Sequence, residues 1–351
     1  MSERFEQARA ILRQAVADRA TPAVVVEVGG AEGAAWREAF GTLTYDAGAP
    51  AATAETIFDL ASLTKVLSTT PLAMAAVEEG RLGLDDPVAL WIPEWRGADR
   101  EAVTVRDLLE HASGLTAYLP FFTDPQMRGR AAYQHAIATL PLEYAPRSQS
   151  IYSDLGFILL GFIIEDAGGA PLAERFARLA TLVAPDPLGF SPPPAWHARM
   201  APTEIDPWRG RLLAGDVHDE NCHALGGAAG HAGLFGTAAA VGRFARLVLA
   251  TTAGDTAIGR RETLDLFRRP STVPGSSRAL GWDTMRPTSS CGRLMPADAI
   301  GHTGFTGTSL WIAPSLDLYV VLLANRVHPS RRNEQLRDLR PRIHDAIVRA
   351  L

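Results

Sequence analysis

The spacing of apolar residues along the chain changes period twice. Phe5, Ala8, Ile11, Leu12, Ala15 and Val16 recur at helical spacing with charges between them, which predicts an amphipathic first helix. Residues 23–28, a Gly29-Gly30-Ala31-Glu32-Gly33 turn and residues 35–42 then predict a β-hairpin. From residue 85 to about residue 269 the pattern is mostly helical or irregular. Within it, residues 105–111 predict a short helix closing at Ser113-Gly114. Residues 154–167 place Leu155, Ile158, Leu159, Phe162 and Ile163 on one face of a buried helix that ends at Gly168-Gly169. Residues 237–250 predict another, with Val241, Phe244, Ala245 and Val248 inward. Dense proline over 185–207 predicts an ordered surface loop without regular structure. Strand character returns at 300–304, 308–313 and 318–324, and an amphipathic helix over 331–351 follows, with Leu336, Leu339, Ile343 and Ile347 on its apolar face.

Strands near both ends and helices between them predict an α+β fold, an α/β sandwich. One antiparallel sheet is built from both termini and covered by the terminal helices, with a mainly helical region inserted. On this reading residues 1–70 and 270–351 form the sheet domain, residues 71–269 form the helical domain, and an active site lies in the cleft between them.

Composition narrows the class. A chain of 351 residues with 47% hydrophobic and 21% charged residues builds a sizeable core. Its formal net charge of −5 supplies no basic footprint for nucleic acid or an anionic membrane. Two cysteines, Cys222 and Cys291, argue against a disulfide-stapled scaffold. No apolar run approaches the roughly 20 residues that span a bilayer. Glu3, Arg4, Glu6, Arg9 and Arg13 interrupt any signal-peptide core, so a cytoplasmic location is expected.

The chemistry centres on Ser62-Leu63-Thr64-Lys65. Ser62 is expected to open a helix running to about Glu79, capped by Gly80 and bent at Pro71. Three positions apart on a helix, the hydroxyl and the amine share one face. A lysine can take the proton of a serine when burial or a second cation lowers its pKa, and a helix N-terminus offers a free N–H to an oxyanion.

Two further motifs follow in order, Tyr152-Ser153-Asp154 and His302-Thr303-Gly304. With them the sequence resembles the penicillin-recognising serine hydrolases, in the branch of class C β-lactamases, D-Ala-D-Ala peptidases and family VIII carboxylesterases. The resemblance extends to residues 80–87, 108–115 and 233–237 and covers the chain from about residue 23 onward. It implies a β-lactamase/transpeptidase-like fold and an acyl-enzyme on Ser62, with Lys65 and Tyr152 sharing the proton traffic. It also implies an oxyanion hole from the backbone N–H groups of Ser62 and Phe305, the latter following Gly304 on an edge strand. Asp154, His302, Thr303, Gly304 and Phe305 would contact substrate, and the glycine run 226–233 would border the cleft, with His231 or Phe235 lining it.

Two departures bear on the substrate. Asp154 stands where the family often has Asn, and a carboxylate cannot donate to an amide carbonyl. His302 replaces the more usual Lys, and a neutral imidazole is a poorer partner for a carboxylate. Both favour small esters or amides without a penicillin-like carboxylate. Asp154 could also cap the helix that begins there. The cluster His218-Asp219-Glu220-Asn221-Cys222-His223 has metal-ligand residue types, but its spacing fits no usual zinc pattern. The glycine run lacks the strand and the Gly-Lys-Ser/Thr ending of a phosphate loop. No metal, cofactor or nucleotide is therefore expected. The leading expectation is an esterase-like serine hydrolase on a small ester or amide. The alternatives are a D-Ala-D-Ala-type peptidase or weak class C β-lactamase, an acyltransferase, and a catalytically silent ligand-binding protein.

Overall fold

The computed structural model describes residues 3–351. Helix α1 (Glu6–Ala17) leads into the hairpin of β1 (Ala23–Gly30) and β2 (Gly33–Gly41). A short strand β3 (Phe58–Asp59) precedes α2 (Thr70–Glu78). Next come α3 (Val105–Leu109), α4 (Asp154–Gly168), β4 (Leu188–Phe190), α5 (Glu220–Ala224), β5 (Leu234–Gly236) and α6 (Ala238–Ala253). The chain then adds β6 (Asp283–Thr284), β7 (Ile300–Thr303), β8 (Ser309–Ala313), β9 (Leu318–Ala324) and α7 (Gln335–Arg349).

Six strands form one antiparallel sheet in the order β2-β1-β9-β8-β7-β6. The sheet is built from both ends of the chain, as the strand pattern predicts. In β1, Val24, Val26 and Val28 pack with Leu12 of α1 and with Ile343 and Ile347 of α7. Val25 turns to the opposite face, where Phe244 and Val248 of α6 join the larger core. Covered on both sides, β1 reads as an apolar run rather than as an alternation.

Ser62 stands directly before a helix over residues 63–78, as the sequence predicts, and within that helix the segment Lys65–Thr69 is a π-helical turn in which the Thr70 N–H reaches the Lys65 carbonyl. The wider turn precedes Pro71, which has no N–H to give and whose ring would crowd a regular α-turn. Three local expectations are corrected. Asp154 is not the cap of α4; the Ser153 hydroxyl accepts from the Gly156 N–H, leaving Asp154 in the first turn. The proline-dense stretch contains β4, which joins β3 and β5 in a second, three-stranded sheet. Phe305 lies in the turn between β7 and β8, not on a strand. Among the described residues no single helix is long and apolar enough to cross a membrane.

Candidate active site

Asp59 at the end of β3 fixes the turn that carries Ser62. Its carboxylate accepts from the backbone N–H of Ala61 at 2.8 Å and of His218 at 2.7 Å. Ala61 is thereby held at φ 48°, a left-handed conformation that costs a non-glycine residue about 1–2 kcal/mol. The Thr64 hydroxyl closes the turn on the Ala61 carbonyl at 2.7 Å.

The three residues that the motifs single out meet at one oxygen. Tyr152 Oη donates to Ser62 Oγ at 2.8 Å, and Lys65 Nζ donates to the same atom at 3.2 Å. Lys65 has no exposed surface, and its other two N–H groups go to Asp154 Oδ1 at 2.7 Å and to the His231 carbonyl at 3.1 Å. Three acceptors match the three protons of an ammonium. Burial pulls Lys65 down, but the neighbouring Asp154 and Tyr152 outweigh it and hold the amine above its ordinary value. Burial and Asp154 together push the Tyr152 phenol up. Both shifts favour the protonated amine and the protonated phenol.

Aromatic and cationic groups surround Tyr152. The His111 ring lies 4.8 Å from it and the His302 ring 5.6 Å, and the Arg278 guanidinium stands 5.1 Å over its face. His302 donates from Nδ1 to the Thr303 carbonyl at 2.8 Å, which leaves Nε2 as a bare, buried acceptor. Burial, then Arg278 and Lys65, push this imidazole well below its usual value, so it stays neutral. His111 accepts the Ser153 N–H on Nδ1 and is likewise pushed down, by burial first.

The turn after β7 closes the other side. Thr306 Oγ1 donates to the Asp59 carbonyl at 2.7 Å and Thr308 Oγ1 to the Leu60 carbonyl at 3.0 Å, stitching this turn onto the turn of Ser62. Arg340 of α7 backs it by donating to the Gly304 and Thr308 carbonyls, both at 3.2 Å. Among the described residues, the backbone N–H groups of Ser62 and Phe305 donate to no other group. Ser62, Tyr152, Asp154, His302, Thr303, Gly304 and Phe305 all border one cleft of about 530 Å³, together with Arg278.

His231 does not join that lining. Its carbonyl serves Lys65, and its imidazole is buried against Asp219 at 2.8 Å. The glycine run supports the helix that follows Ser62: the Thr69 hydroxyl donates to the Gly230 carbonyl at 2.6 Å, and Gly230 abuts Gly161 of α4 so closely that a Cβ would strike backbone. The His218 to His223 cluster is committed elsewhere. Asp219 caps α5, Cys222 donates to the Ala232 carbonyl, and Asn221 accepts from Tyr133. Among the described residues no three His, Cys, Asp or Glu side chains are placed to hold a metal ion.

His218 instead pairs with Glu204 at 2.9 Å, and Arg331 bridges Glu204 and Glu220 at 2.6 Å each. Burial alone would raise Glu204, but the bonds from His218 and Arg331 hold it at about 2, below the ordinary 4.5. A carboxylate with a depressed folded pKa contributes stability above its unfolded value and loses it as pH falls toward the folded one. The urea midpoint should therefore drop between about pH 5 and about pH 3, and Glu204→Gln should drop less over that interval. An equal drop in both proteins would show that this network does not drive acid destabilisation.

Sequence reasoning missed Arg278, Asp59, Thr306 and Thr308. His111 falls inside a segment that carries the resemblance, yet nothing there assigned it a place against Tyr152. Arg278 belongs to no motif and reaches the cleft only through the loop before β6.

Comparison with known proteins agrees with this geometry. The Beta-lactamase family model matches residues 8–343. A protein of Escherichia coli K12 named "Putative D-alanyl-D-alanine carboxypeptidase" is 32% identical over 316 residues, which cover 79% of this chain and 70% of that protein. Two solved structures share the fold. A penicillin-binding protein homologue from Caulobacter crescentus has a TM-score of 0.79 at 19% identity, covering 100% of this chain and 98% of its own. EstCE1, described as a hydrolase with promiscuous acyltransferase activity, has a TM-score of 0.74 at 22% identity, covering 96% and 98%. A match across nearly the whole chain, over a serine flanked by lysine and tyrosine, makes this protein a member of the beta-lactamase family and a serine hydrolase.

Proposed function

We propose that the chain hydrolyses small esters or amides through an acyl-enzyme on Ser62. The observation that carries this reading is the convergence of the Tyr152 hydroxyl and the Lys65 ammonium on Ser62 Oγ at the cleft wall. Ser62 Oγ bonds to the substrate carbonyl carbon while its proton passes to the Lys65 and Tyr152 pair. The N–H groups of Ser62 and Phe305 receive the oxyanion. When the tetrahedral intermediate collapses, the bond to the leaving group breaks and that group takes the proton. Water then attacks the acyl ester by the reverse route.

A second reading, a peptidase of the D-Ala-D-Ala type, is favoured by one observation. Arg278 places a positive charge in the cleft beside neutral His302, and its own carboxylate partner, Asp283, is 3.9 Å away. A guanidinium there can receive a substrate carboxylate that the imidazole cannot. The name of the Escherichia coli relative points the same way.

Intact-mass spectrometry of wild type and Ser62→Ala, after exposure to a fluorophosphonate, a p-nitrophenyl ester and a penicillin, tests the proposal. Wild type should gain an adduct that Ser62→Ala lacks, and should turn over the ester faster than the penicillin. Labelling of both proteins alike would remove Ser62 as the nucleophile. Fast turnover confined to carboxylate-bearing amides would select the peptidase.

A further inference from the structure

Asp154 occupies a position from which a carboxamide could donate to substrate, but the carboxylate there does something else. It is acceptor-only, and Oδ1 is spent on Lys65. Lys65 Nζ has all three protons placed, and Tyr152 directs its own at Ser62 Oγ. In this arrangement both neighbours that reach Ser62 Oγ do so as donors. One proton must leave the cluster before either neighbour can act as a base. We propose, on the reading that Ser62 is the nucleophile, that Asp154 is a positioning residue that holds Lys65 as an ammonium and so sets the pH above which Ser62 is activated.

The sign does not depend on which neighbour is the final base. The Asp154 charge opposes loss of a proton from Lys65 and from Tyr152 alike. The sequence of events balances. The Lys65 and Tyr152 pair releases one proton to water through the cleft, then takes the Ser62 proton as the Oγ to carbon bond forms. It returns that proton to the leaving group as the second bond breaks, and is again ready. Removing the Asp154 charge makes the first release easier.

Other ionisable groups face the pair and are present in both proteins. His302 on β7 and His111 beyond α3 are neutral, and Arg278 stands over the Tyr152 ring. Asp219 lies behind His231, Tyr118 lines the same cleft, and the Cys222 thiol is pushed up by burial. A difference between wild type and Asp154→Asn therefore isolates the one carboxylate. The carboxamide oxygen keeps an acceptor for Lys65 Nζ, so the geometry is conserved while the charge is lost.

The test is the pH dependence of fluorophosphonate labelling at Ser62, followed by intact mass in wild type, Asp154→Asn and Asp154→Glu. The acid limb of the labelling rate should move down by about 1–3 pH units in Asp154→Asn, the range expected for a neighbouring charge, and stay in place in Asp154→Glu. A merely structural Asp154 would lower the rate at every pH without moving the limb. Coincident limbs in wild type and Asp154→Asn, with Ser62 still labelled, would overturn the proposal and leave the nucleophile standing. An Asp154→Glu limb displaced like that expected for Asn would overturn it too, and serves as the test if the Asn variant does not fold. Wild type without a Ser62 adduct would end both readings.

Discussion

Replacing Lys65 by methionine should slow acylation of Ser62 by about 10²–10⁴-fold, the usual reach of a positioned proton-transfer group. Methionine fills a similar length of buried space, so the loss is chemical before it is structural. Tyr152 keeps its bond to Ser62 Oγ, but the ammonium beside it that would favour the phenolate form is gone, leaving only Arg278 over the ring face. The substitution also strips Asp154 of its partner, and breaking such a pair from one side costs up to about 3 kcal/mol. Exchanging both residues, as Lys65→Met with Asp154→Leu, should recover that stability and none of the rate. Stopped-flow acylation and urea melts of the single and double variants measure the two effects separately. Full activity in Lys65→Met would make Tyr152 the sole base, and an unrecovered melt in the double variant would mean that packing, not charge, sets the cost.

Gly304→Ala should be nearly as damaging, although position 304 carries no chemistry. A Cβ there would meet the Thr308 hydroxyl and come within 2.6 Å of the Leu60 carbonyl oxygen, two residues before Ser62. Thr308 can rotate its side chain away; Leu60 offers backbone, which cannot. The turn bearing Phe305 must then lift off the turn bearing Ser62 and separate the two N–H groups proposed to receive the oxyanion. A displacement of about 1 Å in a reacting geometry costs on the order of 10²-fold in rate. The expected result is a fall in kcat with KM much less changed, and with Thr308→Ala added to Gly304→Ala the loss should persist. An unaffected kcat would place the oxyanion elsewhere.

Much of this architecture is written in residue periodicity, and the exceptions have identifiable physics. The long strands and helices are legible because each buries a face over many residues, as with Leu155 to Ile163 in α4 or Leu318 to Ala324 in β9. Strands β3, β4 and β5 are two or three residues long and hold too few positions to display a period. The π-turn at Lys65–Thr69 has no side-chain signature of its own beyond the proline after it. Ser153 and Asp154 are both good caps, and their neighbours decide between them: Lys65, 89 positions away, claims the carboxylate and leaves the hydroxyl to cap. The Ser62 and Lys65 partnership is local and therefore visible in the chain. Arg278 over Tyr152, or Thr306 on Asp59, depends on where distant segments arrive.

The strand order carries a consequence for synthesis. Strand β1 leaves the ribosome with its valines long before one of its two neighbours, β9, with Val24 paired to Ala324. At roughly 5–20 residues per second, the interval between making the two is about 15–60 s. Throughout that time β1 presents an open, apolar edge of the kind that recruits other chains. Only closure of β9 against it completes the sheet, and the same closure delivers the Thr306 and Thr308 hydroxyls to the Ser62 turn. Ser62 is thus made well before the strand whose docking completes its surroundings, so hydrolytic activity doubles as a report that β9 has docked.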